Sequence, residues 1–112
     1  MAWHSLGNVT VTTAGTPVRI TINESSSTAR LQCHAIMVEQ IPGNSGRIII
    51  GLSNLNSTTY VGALAILAIP TTNTLPSCNV GIGDAPNAFN AADYFIDATV
   101  SGEGALVSYL IT

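Results

Sequence analysis

The chain has 112 residues, enough for one domain, and 46% of them are hydrophobic, which excludes a disordered polypeptide. Charged residues make up only 8%, against about 25% in ordinary soluble domains. Three arginines (Arg19, Arg30, Arg47), no lysine and six acids leave a formal net charge of −3, which excludes the basic patch that nucleic acid or an anionic membrane surface requires.

In chain order, residues 1–7 read as an N-terminal arm and residues 8–112 as a single domain. Asn8–Thr13 alternates Val9 and Val11 with polar residues, the signature of a half-buried strand. Ala14-Gly-Thr-Pro17 is a turn. Val18–Ile22 alternates again, with Val18, Ile20 and Ile22 inward and Arg19 and Thr21 outward. Residues 23–28 are a polar loop. Arg30–Ile41 reads as a strand whose two halves, carrying Cys33 and then Ile36 and Val38, need a bulge to share one core face. Pro42-Gly-Asn-Ser-Gly46 is the strongest turn, read as a hairpin loop into the strand Arg47–Leu52. The isoleucines 48–50 imply a strand covered on both faces. After a polar loop at 53–59, Tyr60–Ile69 is a strand rather than a helix, because Gly62 interrupts it and Pro70 ends it. Residues 71–79 read as loop, 80–82 as a short strand, and 84–92 as a long connection with room for one helical turn. Tyr94–Val100 and Ala105–Ile111 are strands joined by the hairpin turn Ser101-Gly-Glu-Gly104.

Seven to eight strands with a turn about every ten residues predict an all-β fold, a single antiparallel β-sandwich. The lone tryptophan, Trp3, leaves no Cys…Trp…Cys arrangement, which favours a jelly-roll-like over an immunoglobulin-like topology. Size scaling gives such a fold about 5,800 Å² of surface. Nine charges are sparse on that area, so Thr, Ser and Asn, 32 in all, must keep it wet, or partners must cover it.

The residues that could carry chemistry do not assemble into a catalytic set. His4 lies near the terminus, and His34 alternates with Cys33, so the two point to opposite faces of a strand and make no Cys–His dyad. Cys33 and Cys78 lack metal-ligand spacing and read as free thiols. Asp93, Asp97 and Glu103 lack calcium-loop spacing. On a strand Asp93 and Asp97 would share a face about 13 Å apart, and they read as solvated edge charges or partners for an arginine of a neighbouring subunit. Gly81-Ile-Gly-Asp84 lacks the lysine and remaining glycines of a phosphate loop. The acceptor tripeptides at Asn8, Asn23 and Asn56 are expected by chance in so Asn-, Ser- and Thr-rich a chain. The apolar run Val61–Ile69 is too short for a membrane helix, and the N-terminus shows no export signal. No catalytic residues, cofactor or metal are expected, and the chain does not read as an enzyme.

Three stretches carry a resemblance: Thr16-Pro-Val-Arg-Ile20, Gly43-Asn-Ser-Gly-Arg-Ile-Ile-Ile-Gly51, and Tyr94-Phe-Ile-Asp-Ala-Thr-Val-Ser-Gly-Glu-Gly104 with Val107-Ser-Tyr109. With these features the chain resembles the small jelly-roll-like capsid decoration (cement) proteins of tailed bacteriophages, most weakly over residues 53–92. The resemblance implies a homotrimer made in the host cytoplasm, bound to the major capsid protein on the outer surface of the virion head, with no catalytic residues. Trp3, Arg19, Arg30, Arg47, Asp93 and Asp97 are then candidate inter-subunit contacts. Alternatives are another virion β-sandwich, such as a head-fibre base or tail protein, or a carbohydrate-binding or adhesion module drawing on Trp3, Tyr60, Phe89, Tyr94, Phe95 and Tyr109.

Overall fold

The computed structural model describes residues 2–20, 32–80 and 89–111. Ten strands run β1 (Ala2–Thr10), β2 (Val18–Arg19), β3 (Gln32–Cys33), β4 (Ala35–Gln40), β5 (Ile48–Gly51), β6 (Ala63–Leu67), β7 (Ser77–Val80), β8 (Phe89–Asn90), β9 (Phe95–Ala98) and β10 (Gly104–Ile111). The only helical element among the described residues is a 3-10 turn at Ala91–Asp93. Two four-stranded antiparallel sheets form, in the orders β1-β10-β4-β7 and β2-β9-β5-β6, with a small β3-β8 pair beside them. The chain is therefore all-β and sandwich-like.

The pairing is nested. β5 pairs with β6, β4 with β7, β3 with β8, β2 with β9 and β1 with β10. One core cluster joins the sheets. Ile36 and Val38 of β4, Val80 of β7 and Ala105 and Val107 of β10 meet Ile48 and Ile50 of β5, Leu67 of β6 and Ile96 and Ala98 of β9. Each isoleucine removed from water here is worth about 1.5–3 kcal/mol. Ile49 is also fully buried but faces away from the cluster, between Ile66 and Asp97 of the flanking strands. The isoleucine run is covered on both faces, as its sequence implied.

Several expectations change. Of the residues 1–7 expected as an arm, Ala2–Gly7 belong to β1, with Ala2 opposite Ile111 and Trp3 opposite Leu110, and Met1 lies outside the described residues. The register slips between Ser5 and Gly7, and Gly7 takes a φ of +85° that L side chains avoid. That slip breaks the period-two pattern and hid the strand. The turns at 42–46 and 101–104 do not close hairpins. β4 and β10 lie in one sheet, and β5 and β9 in the other, so each turn carries the chain across the sandwich. β7 occupies Ser77–Val80, where the sequence suggested loop followed by a strand at 80–82. The strand expected over Arg30–Ile41 is, from Gln32 on, broken at His34 into β3 and β4 of different sheets rather than bulged, and Cys33, Ile36 and Val38 all reach the core.

Other expectations hold. Residues 63–67 form a strand, and Tyr60, a non-glycine residue with a φ of 62°, turns the chain just before it. The loop at 23–28, Arg30 and most of the 84–92 connection lie outside the described residues.

Candidate functional site

Two buried polar groups tie the loops to the sheets. Gln40, at the end of β4, donates through Nε2 to the carbonyls of Gly46 (3.1 Å), Ala68 (3.0 Å) and Leu67 (3.4 Å), and its Oε1 accepts from Asn44 Nδ2 (2.7 Å). Asn44 Nδ2 also donates to the Gly104 carbonyl (2.8 Å). The two amides thus join the 42–46 turn to the ends of β6 and β10. On the same turn, Glu103 accepts from Ser45 N–H (2.7 Å), Ser45 Oγ (2.9 Å) and Gly46 N–H (2.9 Å). Desolvation pushes the Glu103 carboxyl up, but these hydrogen bonds outweigh it and hold it below its ordinary value.

Asp97 is the second group, and it overturns its expected role. Its side chain is wholly buried on β9 and is neither a solvated edge charge nor a surface contact. Oδ1 accepts from Gly15 N–H (3.0 Å) and Ala98 N–H (2.8 Å), so it anchors the β1–β2 turn to the second sheet. Ser101 Oγ accepts from Ala14 N–H (2.9 Å) and fixes the same turn. Oδ2 of Asp97 and Nδ1 of His34 are buried without a hydrogen-bond partner.

The other expected contact residues are dispersed. Trp3 is half-exposed on β1. The Arg19 guanidinium lies 5.0 Å from the centre of the Phe95 ring, a cation–π arrangement between paired β2 and β9 residues. Arg47 is exposed just before β5, and Asp93 is exposed at the end of the 3-10 turn, not on a strand with Asp97. Cys33 and Cys78 are free thiols, and burial raises the Cys33 thiol to about 11 and the Cys78 thiol in the same direction. Among the described residues no group of three or more His, Cys, Asp and Glu side chains could hold a metal.

The surface itself is more informative. A cleft of about 500 Å³ opens between Pro42, Gly43 and Asn44 on one side and Pro70, Thr71, Thr72 and Leu75 on the other. Beside it lies the β5–β6 hairpin, whose exposed apolar side chains are Leu52, Tyr60, Val61, Leu64, Ile66 and Ile69. Residues 48–83 contain no Asp, Glu, Lys, Arg or His. That gap in charge, visible in the sequence, was the signal for this surface. Trp3 and Tyr60, the large exposed aromatics among the described residues, sit on β1 and on this hairpin, beside different sheets. No protein-family model, curated protein or solved structure matches the chain.

Proposed function

We propose that the protein is a non-enzymatic structural component of a virion, a capsid decoration protein of a tailed phage that binds the outer head surface as a homotrimer and stabilises it. The observation that carries this reading is the surface: an all-β body with few charges and a charge-free, apolar hairpin at one sheet edge. Edge strands of free-standing proteins are normally guarded by charge or proline. An unguarded edge suits a protein that spends its life covered. Hydroxyl- and amide-rich surfaces also bond across subunits without the desolvation penalty of buried ammonium groups.

The nested pairing supports a jelly roll over an immunoglobulin-like sandwich. Folding one long antiparallel hairpin over on itself places β1 beside β10, β2 beside β9, β4 beside β7 and β5 beside β6, with both sheets drawing on both halves of the chain. A ligand that binds the assembled shell better than separated capsomers stabilises it by mass action, and many copies add avidity.

The test is co-sedimentation of the purified protein with expanded phage capsids. Saturation at a fixed, regular ratio of copies per capsid is expected. Absence from the capsid pellet at every protein concentration refutes the capsid role.

A further inference from the structure

We infer that the β5–β6 hairpin is the surface through which copies of this chain meet. Ten large hydrophobic side chains are exposed among the described residues, and Leu52, Tyr60, Val61, Leu64, Ile66 and Ile69 all fall on this one unit, each between 39% and 54% exposed. β6 is the outer strand of its sheet, and Ala63–Leu67 carries neither charge nor proline. Leu64 and Ile66 project from the outward face of β6, while Ala65 and Leu67 turn to the core between and beside them. The strand therefore offers an apolar row that its own fold leaves in water.

Area and charge select a second copy as the occupant. The six side chains expose on the order of 450 Å², a size at which apolar patches mark binding sites. A stable interface covers about 800 Å² per partner, of which about 56–65% is apolar. The patch supplies that apolar share, and exposed Ser53, Asn54, Asn56, Thr58 and Thr59 around it supply a polar rim. A partner with a charged face would have to strip water from its charges against a surface that offers no counter-charge. A second copy brings the same uncharged hairpin. All nine charges of this net −3 chain lie outside residues 48–83, so contact through the hairpins adds no acid to the interface. With three copies, three hairpins face the common axis. The number of copies rests on the trimer proposed above; the surface does not depend on the capsid role.

The experiment compares wild type, the double variant Leu64→Asp/Ile66→Asp and the control Leu106→Asp, an exposed position on β10 of the other sheet, by light scattering and sedimentation velocity at high micromolar concentration. Wild type and Leu106→Asp are expected at three times 11.5 kDa, and the double variant at the single-chain mass with an unchanged far-UV circular dichroism spectrum. Hydrogen exchange on wild type needs no substitution: amide protection across residues 52–69 rises with protein concentration. A monomeric wild type, a double variant that keeps the wild-type mass, dissociation by Leu106→Asp as well, or concentration-independent exchange overturns the inference. A trimer that dissociates as expected yet fails to pellet with capsids would leave this inference standing and sink the capsid reading.

Discussion

Gln40→Met tests whether one buried amide holds the two sheets together. Gln40 is 1% exposed. It stands on β4 of the first sheet, and its Nε2 reaches carbonyls at Gly46, before β5, and at Leu67 and Ala68, at the end of β6. Methionine nearly matches its volume, so the packing survives while the hydrogen bonds do not. Nε2 has two protons, so at most two of the three carbonyls are held strongly at once. Oε1 accepts one further bond, from Asn44. A net hydrogen bond is worth about 1 kcal/mol, and a buried group left without a partner costs about 1–3 kcal/mol. Three lost bonds, partly offset by the methionine thioether's easier burial, amount to about 3 kcal/mol. For 112 residues the unfolding entropy makes 1 kcal/mol worth about 4 °C, so the melting temperature should fall by about 12 °C. Thermal and urea unfolding followed by circular dichroism measure it. Gln40→Glu should be at least as damaging, because it turns a donor into a carboxylate facing carbonyl oxygens. A Gln40→Met protein within 1 kcal/mol of wild type would refute the brace.

Two further substitutions probe the strand contacts and the loop anchor. At Gly104→Ala the new Cβ would run into the Val9 carbonyl oxygen, with Thr10 Cα at 2.8 Å and Asn8 Oδ1 at 2.9 Å. Two of these neighbours are backbone atoms, so β1 must move away from β10, at about 2–4 kcal/mol. Hydrogen exchange should show protection lost first along β1, and a variant as stable as wild type counts against the pairing. Glu103→Gln concerns pH. Because the folded Glu103 carboxyl titrates below its ordinary value, the unfolded chain takes up the proton first. Its contribution is fully present above the unfolded value of about 4.3 and is lost as the pH falls through the folded value. Glu103→Gln should be less stable than wild type at pH 7, and the gap should narrow on acidification. A gap that stays constant from pH 7 to pH 3 removes Glu103 as the cause.

What the sequence disclosed and what it hid divide along physical lines. Val9 and Val11, Val18 and Ile20, Ile36 and Val38 and the run Ile48–Ile50 announce strands because alternation or continuous burial sets the side-chain pattern of a sheet. The turns at 42–46 and 101–104 were equally visible, but turn chemistry reports a reversal of the chain and not which sheet receives it. β1 hid its first half behind the slip at Ser5–Gly7, and β7 hid because Cys78 and Val80 are too weak a pair to stand out beside Ser77 and Asn79. Asp97 was misread for a related reason: a carboxylate in a strand looks solvated until a loop from 82 residues away supplies the Gly15 N–H that it accepts. Gln40 and Glu103 act through partners scattered in sequence and left no local mark.

The nested order also predicts how the chain folds. β5 and β6 are joined by the short loop of residues 52–62, whereas β1 and β10 bring together residues from opposite ends of the chain, Ala2 beside Ile111. Closing a loop costs entropy that grows with its length, so each inner pair shortens the loop the next must close. Pairing should therefore spread from β5–β6 through β4–β7 and β2–β9 to β1–β10. Ile50→Val on β5, fully buried opposite Ala65 and Ile96, should slow refolding nearly in proportion to its stability loss of about 1 kcal/mol. Val107→Ala on β10, buried opposite Val38 and Gly7, should chiefly speed unfolding. Stopped-flow chevrons separate the two, and φ-values higher at Val107 than at Ile50 would reverse the order. The strand pair expected to form first is the one with the apolar, charge-free surface. If pairing spreads in this order, the first part of the chain to become structured would also be the surface proposed above to meet a second copy.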